Sequence, residues 1–173
     1  IYGRRVIPQN ILDLATHGTF NFHPSLLPNY KGCFSVSWAI INREKVTGIT
    51  IHEMVEKVDQ GKILLQQKVE INQDDTAYSL WHKLADLFIC VFDDFYRDFI
   101  SGKVIAKEMQ TEGTFYFRRL PHGGLIDRTW HPEKIEHFIR GIYFPPYSSA
   151  KIKIGDEYIE VDNYKSYLKL MTN

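Results

Sequence analysis

The chain has 173 residues, with 21 lysines and arginines balanced by 21 aspartates and glutamates, and is 44% hydrophobic and 14% aromatic. That aromatic content excludes a disordered chain, and zero net charge supplies no general field for nucleic acid or an anionic membrane. The longest wholly apolar run, Leu87 to Phe92, is far shorter than the roughly 20 residues that cross a bilayer. Cys33 and Cys90, the two cysteines, are too few for a disulfide framework or a four-ligand zinc site. A cytoplasmic protein without nucleic-acid or membrane partners is the expected class.

The first residue is Ile1 rather than Met, and Ile1-Tyr2-Gly3 reads as the end of a strand entering a turn. The chain is therefore expected to begin inside a longer protein. Pro8 to Ala15 suits a short helix with Ile11, Leu12 and Leu14 inward. Thr19 to Phe22, bounded by Gly18 and Pro24, suits a buried strand, and a proline-rich loop runs on to Gly32. Phe34 to Asn42 has helical spacing, with Phe34, Trp38 and Ile41 on one face. Val46 to Val55 and Lys62 to Ile71 read as strands joined by the turn-like Glu56 to Gly61.

Asp75-Thr76 caps a long helix reaching Ser101, with Gly102 at its end. Leu80, Leu84, Leu87, Phe88, Val91, Phe95 and Phe99 form its core stripe, and Cys90 on the same helix reads as a small core residue. Gly113 to Leu120 is an aromatic strand or extended arm. Pro132 to Arg140 is a second helix closed by Gly141. Lys151 to Ile154 and Tyr158 to Val161 make a β-hairpin around Gly155-Asp156. Strand, helix, two strands and a long helix predict an α/β core. The expected division is a core over residues 1–107 and a small α+β extension over 108–173, holding helix 132–140 and ending in hairpin 151–161.

Few motifs carry chemistry. His52-Glu53-Met54-Val55-Glu56 lacks the second histidine of a zinc-protease helix and lies in a strand-like run, so no metal is expected. There is no dinucleotide or phosphate loop and no nucleophile elbow. Asn21 and His23 are two apart in a strand and so share a face, with Pro24 and Pro28 stiffening the exit. Taken alone, the pair reads more readily as a turn-capping amide and a surface histidine.

The longer run changes that reading. Asn21-Phe22-His23-Pro24-Ser25-Leu26-Leu27-Pro28, with Tyr30-Lys31-Gly32 and Trp38-Ala39-Ile40 after it, resembles the signature of the folate-dependent formyltransferases. Thr47-Gly48-Ile49-Thr50-Ile51-His52 and Val58-Asp59-Gln60-Gly61-Lys62-Ile63-Leu64 continue the likeness in order. Glycinamide ribonucleotide, methionyl-tRNA and sugar-nucleotide formyltransferases make up that family. The resemblance implies a Rossmann-like α/β core of which this chain is the C-terminal part, with about 80–90 residues of the doubly wound template lying before it.

What the resemblance implies for the site is specific. Asn21, His23 and Asp59 are the catalytic trio; 10-formyltetrahydrofolate is the co-substrate, with no metal; and the acceptor is a primary amine. Asn21 and a protonated His23 would donate to the formyl oxygen, Asp59 would hold His23 charged, and His23 would move the amine proton. Ser25, Leu26, Leu27, Val58, Gln60 and Gly61 are expected around the folate. Tyr30, Lys31 and His52 are weaker candidates for touching substrate. The residues after the long helix, including Tyr116-Phe117-Arg118-Arg119 and Phe144-Pro145-Pro146, look like those of sugar N-formyltransferases. They point to a nucleotide-linked amino sugar destined for surface polysaccharide. Methionyl-tRNA, lipid-linked aminoarabinose and a non-catalytic relic stay open, as does a homodimer.

Overall fold

In chain order the elements are α1 (Gln9–Leu12), β1 (Phe20–His23), β2 (Lys31–Gly32), α2 (Ser35–Ile41), β3 (Val46–Glu53) and β4 (Ile63–Glu70). Then come α3 (Ala77–Ile100), β5 (Phe115–Tyr116), α4 (Pro132–Ile142), β6 (Ala150–Ile154), β7 (Glu157–Val161) and α5 (Tyr164–Thr172). This is a computed structural model, and it describes residues 6–172. The strand end read at Ile1 to Gly3 lies outside them.

The central sheet runs β1-β3-β4 with both pairings antiparallel. Residues directly opposite each other in such a pair share a face. Phe22 opposes Ile51, and Ile51 opposes Leu65, so these line one side; Asn21 opposes His52 and His23 opposes Thr50 on the other. Two functions are thus separated by the pleat alone. The apolar side receives Ala77, Leu80 and Leu84 of α3, which join Val36, Ile40 and Ile49 in a dry core. Each fully buried leucine or isoleucine there contributes roughly 1.5–3 kcal/mol.

Thr76 caps α3 as expected, and Ser79 returns the bond to the Thr76 N–H. The predicted stripe forms, with Leu80, Leu84 and Phe95 buried, but Cys90, expected as a small core residue, is exposed, as are Ile89, Phe92, Tyr96 and Ile100 outside the stripe. Helix face explains the difference: the exposed residues lie off the stripe, whereas Leu87, Phe88 and Val91 pack against the core and Phe99 packs edge-on against Phe20 of β1. At the other end, α1 is a single turn that buries Leu12 and leaves Ile11 and Leu14 exposed. Phe34 is no part of α2's buried face; it precedes the helix in a left-handed conformation and is exposed.

A second core gathers Ile135, Phe138, Ile139 and Ile142 of α4 with Ile152, Val161 and Tyr167, and Ile41 of α2 joins it. Gly141 lies inside α4 rather than past its end, because a Cβ there would come within 2.6 Å of Ile41 and 2.9 Å of the Ser37 carbonyl. It marks where α2 and α4 touch backbone to backbone. The hairpin forms with Ile152 opposite Ile159, but the chain continues into α5, whose first turn is capped by Asn163 onto the Ser166 N–H. The extension therefore ends in a helix, not in the hairpin. Among the described residues, no helix is long and apolar enough to cross a membrane.

Candidate active site

Cross-strand pairing places Asn21 beside His52 and His23 beside Thr50, and the 54–62 loop folds back to bring Asp59 over them. Asp59 sits in a left-handed turn (φ 53°), a conformation that aspartate tolerates better than most residues. Its Oδ2 accepts the Gly32 N–H at 2.8 Å and lies 3.5 Å from Nδ1 of His23. Its Oδ1 lies 3.4 Å from Nε2 of His52. His23, His52 and Asp59 are all at least nine-tenths buried, whereas Asn21 is half-buried, with its Nδ2 3.3 Å from Nε2 of His52. The three residues expected as a trio converge, and a fourth converges with them.

The gathering principle differs from the one the sequence suggested. A parallel sheet collects ligand residues beyond its strand ends; here the described sheet is antiparallel, and opposed residues of neighbouring strands supply the polar face.

Protonation follows from the partners. Nε2 of His23 is 2.8 Å from the Tyr30 carbonyl, which only accepts, so Nε2 carries the hydrogen. Burial pushes the His23 pKa below its ordinary 6.5, outweighing the Asp59 carboxylate and the Tyr30 carbonyl, and His52 pushes it the same way as burial. Burial thus favours the neutral imidazole, whose Nδ1 lies on the Asp59 side. That direction runs against the expectation of a protonated His23 donating to a formyl oxygen. The distance from Nδ1 to Asp59 also exceeds a direct hydrogen bond, which leaves Nδ1 uncommitted. For Asp59, burial alone would raise the pKa, but the His52 hydrogen bond, the His23 ring and the Gly32 N–H together hold it below the usual 3.8.

The loop that sequence assigned to folate contact is bolted from beneath by residues that sequence reasoning missed. Thr50, fully buried, donates to the Ser25 carbonyl at 2.6 Å and accepts from the Leu27 N–H at 3.1 Å. Gln66 bonds Thr50 Oγ1 at 3.0 Å and the Leu27 carbonyl at 2.7 Å. Thr50 was findable, being two residues from His52 on the same face. Ser25 turns its hydroxyl into the loop, onto the Asn29 carbonyl. Ser25 and Leu27 are buried, so these two shape the loop rather than present side chains; Leu26 lies over Gly48.

On the other side of Asp59, Val58 and Gln60 are exposed at the rim, and Gly61 is packed against the Glu53 carbonyl. A cleft of about 720 Å³ adjoins them, lined by Lys31, Lys57, Gln60, Glu108, Glu112 and Phe115 among others. Lys31 thus lines this cleft. Tyr30 does not: its hydroxyl donates to Glu44 and its ring stacks on Tyr116, while its backbone carbonyl serves His23. His52 lies under the cleft, not along it.

The strand β5 backs the loop in parallel with β2. Thr114 supplies its hydroxyl to the Tyr30 N–H and its carbonyl to the Lys31 N–H. Gly32 has φ 84°, and a Cβ there would lie 2.2 Å from the Tyr116 carbonyl; only glycine lets the strap come this close.

The formyl transferase family model matches residues 2–89. The chain belongs to the formyl transferase family. That span includes Asn21, His23, His52 and Asp59. Over 168 residues the chain is 39% identical to the GDP-perosamine N-formyltransferase of Brucella melitensis biotype 1, covering 97% of this chain and 64% of that protein. Its fold matches that of a sugar N-formyltransferase from a Shewanella species with a TM-score of 0.80 at 22% identity, covering 92% of this chain and 66% of that one. It also matches WlaRD, a sugar 3N-formyl transferase solved in the presence of dTDP and 5-N-formyl-THF, with a TM-score of 0.71 at 26% identity, covering 83% of this chain and 52% of that one. The formyltransferase chain thus spans about two thirds or less of these relatives.

Proposed function

We propose that the protein transfers a formyl group from 10-formyltetrahydrofolate to the primary amine of a nucleotide-linked amino sugar. The observation that carries this is the convergence of Asn21, His23 and Asp59, from a strand and a distant loop, in a chain 39% identical to a GDP-perosamine N-formyltransferase. A relic without catalysis would have no reason to hold an uncommitted imidazole nitrogen beside a buried carboxylate.

The reaction forms one carbon–nitrogen bond to the amine and breaks the one to N10 of the folate, moving one proton from the first nitrogen to the second. His23, neutral and fixed by Tyr30, takes the amine proton on Nδ1 as the new bond forms. Asp59, ionised, offsets the charge that His23 then carries, and His23 returns the proton to the departing nitrogen. Asn21 has a second amide hydrogen beyond the one facing His52 and donates it to the formyl oxygen as negative charge gathers there. The rim of Val58 and Gln60 borders the folate.

The test offers the protein, as its gene encodes it, GDP- and dTDP-linked amino sugars, lipid-linked aminoarabinose and methionyl-tRNA, and follows tetrahydrofolate release. Turnover with a nucleotide-linked amino sugar is expected. Turnover with methionyl-tRNA alone would overturn the assignment of acceptor, and none with any amine would overturn the activity.

A further inference from the structure

The Tyr30 carbonyl is the partner that fixes the hydrogen of His23 on Nε2. That bond decides which tautomer the ring adopts, because a second group competes for the hydrogen. Oδ2 of Asp59, an ionised carboxylate, lies 3.5 Å from Nδ1. With the Tyr30 carbonyl in place, the hydrogen sits on Nε2 and Nδ1 is bare. Without it, the carboxylate would draw the hydrogen to Nδ1, and that nitrogen could no longer take a proton from an attacking amine.

The carbonyl is aimed by an unfavourable backbone. Tyr30 has φ 61°, in the left-handed region that is costly for any residue with a Cβ. Such a conformation persists only where surrounding contacts over-determine it, and here they come from two distant parts of the chain. The Tyr30 N–H donates to Thr114 Oγ1 at 2.8 Å, and the ring stacks on Tyr116 with centroids 5.6 Å apart and planes at 9°. Tyr116 stacks in turn on Trp38 at 4.6 Å. At the tip of the ring, the hydroxyl donates to Glu44 at 2.7 Å and accepts from Asn42 at 3.2 Å, and Asn42 also holds the Tyr116 hydroxyl at 3.1 Å. Burial and the Glu44 carboxylate push the Tyr30 phenol above its ordinary 10, so the hydroxyl keeps its hydrogen.

We propose that Tyr30 is a positioning residue: the clamp of Asn42, Glu44 and Tyr116 on its side chain holds the turn whose carbonyl keeps the His23 hydrogen on Nε2, leaving Nδ1 bare for the amine proton. The strap after α3 thereby enters catalysis without touching a reactant. This deepens, and rests on, the formyl-transfer reading.

The contacts are those of a positioning device rather than of plain support for the loop. Ser25, Thr50 and Gln66 already brace the loop backbone, and none of them bonds Tyr30. The bonds to Asn42 and Glu44 and the stack on Tyr116 are all made by the Tyr30 side chain beyond its Cβ. They can therefore be removed by substitution while the rest of the loop keeps its own bonds.

The test compares the protein, as its gene encodes it, with Tyr30→Ala and Tyr30→Phe. Long-range ¹H–¹⁵N spectra report the ring tautomer with no need for turnover, and tetrahydrofolate release gives kcat and KM. Wild-type His23 should carry its hydrogen on Nε2 alone. In Tyr30→Ala the hydrogen should move to Nδ1 in most molecules. Its kcat should then fall about tenfold, in proportion to the competent fraction, with both KM values within about twofold of wild type. Tyr30→Phe, which keeps the stack and loses the hydroxyl bonds, should shift both readouts the same way by less. A folded Tyr30→Ala whose His23 keeps its hydrogen on Nε2, or whose loss lies in KM with kcat kept, would overturn the proposal. So would a wild-type His23 with its hydrogen on Nδ1. Should Tyr30→Ala fail to fold, Asn42→Ala, at an exposed position outside the loop, decides by the same two readouts. A tautomer that shifts in the variant of a protein that transfers no formyl group would sustain the clamp while removing the formyl-transfer reading.

Discussion

Two buried aspartates, Asp59 and Asp75, sit in loops on either side of β4 and both have pKa values below the usual 3.8 against the opposing effect of burial. Their partners differ in kind. Asp75 accepts from the Asn72 N–H at 2.7 Å, Ser79 Oγ at 3.0 Å and Lys83 Nζ at 2.5 Å, while Arg140 bonds its backbone carbonyl at 2.6 Å. Every bond is short, each donor is committed, and the cluster ties the start of α3 to α4. Asp59 has one short bond, from Gly32, and two histidines at 3.4–3.5 Å whose outer nitrogens are fixed by other groups. A saturated carboxylate is a strut. A carboxylate facing loosely held titratable rings can exchange protons with a substrate.

That contrast is breakable, and Asp59→Asn gives the largest effect. It removes the charge opposite His23 while keeping the Gly32 bond, and kcat/KM should fall by about 10²–10³-fold, with thermal stability little changed. Asp75→Asn should do the reverse: calorimetry should show a loss of about 1–3 kcal/mol, as Lys83 and Ser79 lose a charged acceptor, with kcat/KM per folded molecule kept. If the two variants exchanged these outcomes, the distinction between strut and reactive carboxylate would collapse.

Acid titration sharpens it. A group with a depressed folded pKa contributes stability that is complete above its unfolded value and lost as pH falls through the folded one. For His23 that loss starts below 6.5, and for both aspartates below 3.8. Stability should therefore begin to fall in the range below 6.5, and His23→Gln should flatten that part of the curve while leaving the steeper loss below 3.8 in place. An unchanged slope in the variant would mean that the histidine is not held neutral. The smallest effect belongs to Thr114→Val, which removes the acceptor of the exposed Tyr30 N–H. It should cost about 1 kcal/mol and reduce kcat a few-fold, by loosening the carbonyl that orients His23.

Much of this was legible in the sequence because short-range rules govern it. Thr76 caps α3 as read from its place before the apolar stripe, and the Gly155-Asp156 turn closes the hairpin. The pairing of Asn21 with His23 followed from strand alternation, and Asp59 came from family resemblance. What stayed hidden depends on contacts distant in sequence. Thr50 and Gln66 brace the proline-rich loop only because β3 and β4 pair in one register. Burial favours the neutral form of His23, and its tautomer is set by a carbonyl seven residues away in a left-handed turn. Gly141 looked like a helix end because its reason, the crossing of α2, lies a hundred residues earlier. α5 was missed since its apolar pattern is short and its cap, Asn163, follows directly on a strand.

The most direct measurement is kcat/KM for formyl transfer from 10-formyltetrahydrofolate to a GDP-linked amino sugar by His23→Gln, beside wild type, with folding checked by circular dichroism. A folded variant slowed by about 10³-fold or more is the result expected if Nδ1 of His23 carries the amine proton. A folded variant within tenfold of wild type would contradict it.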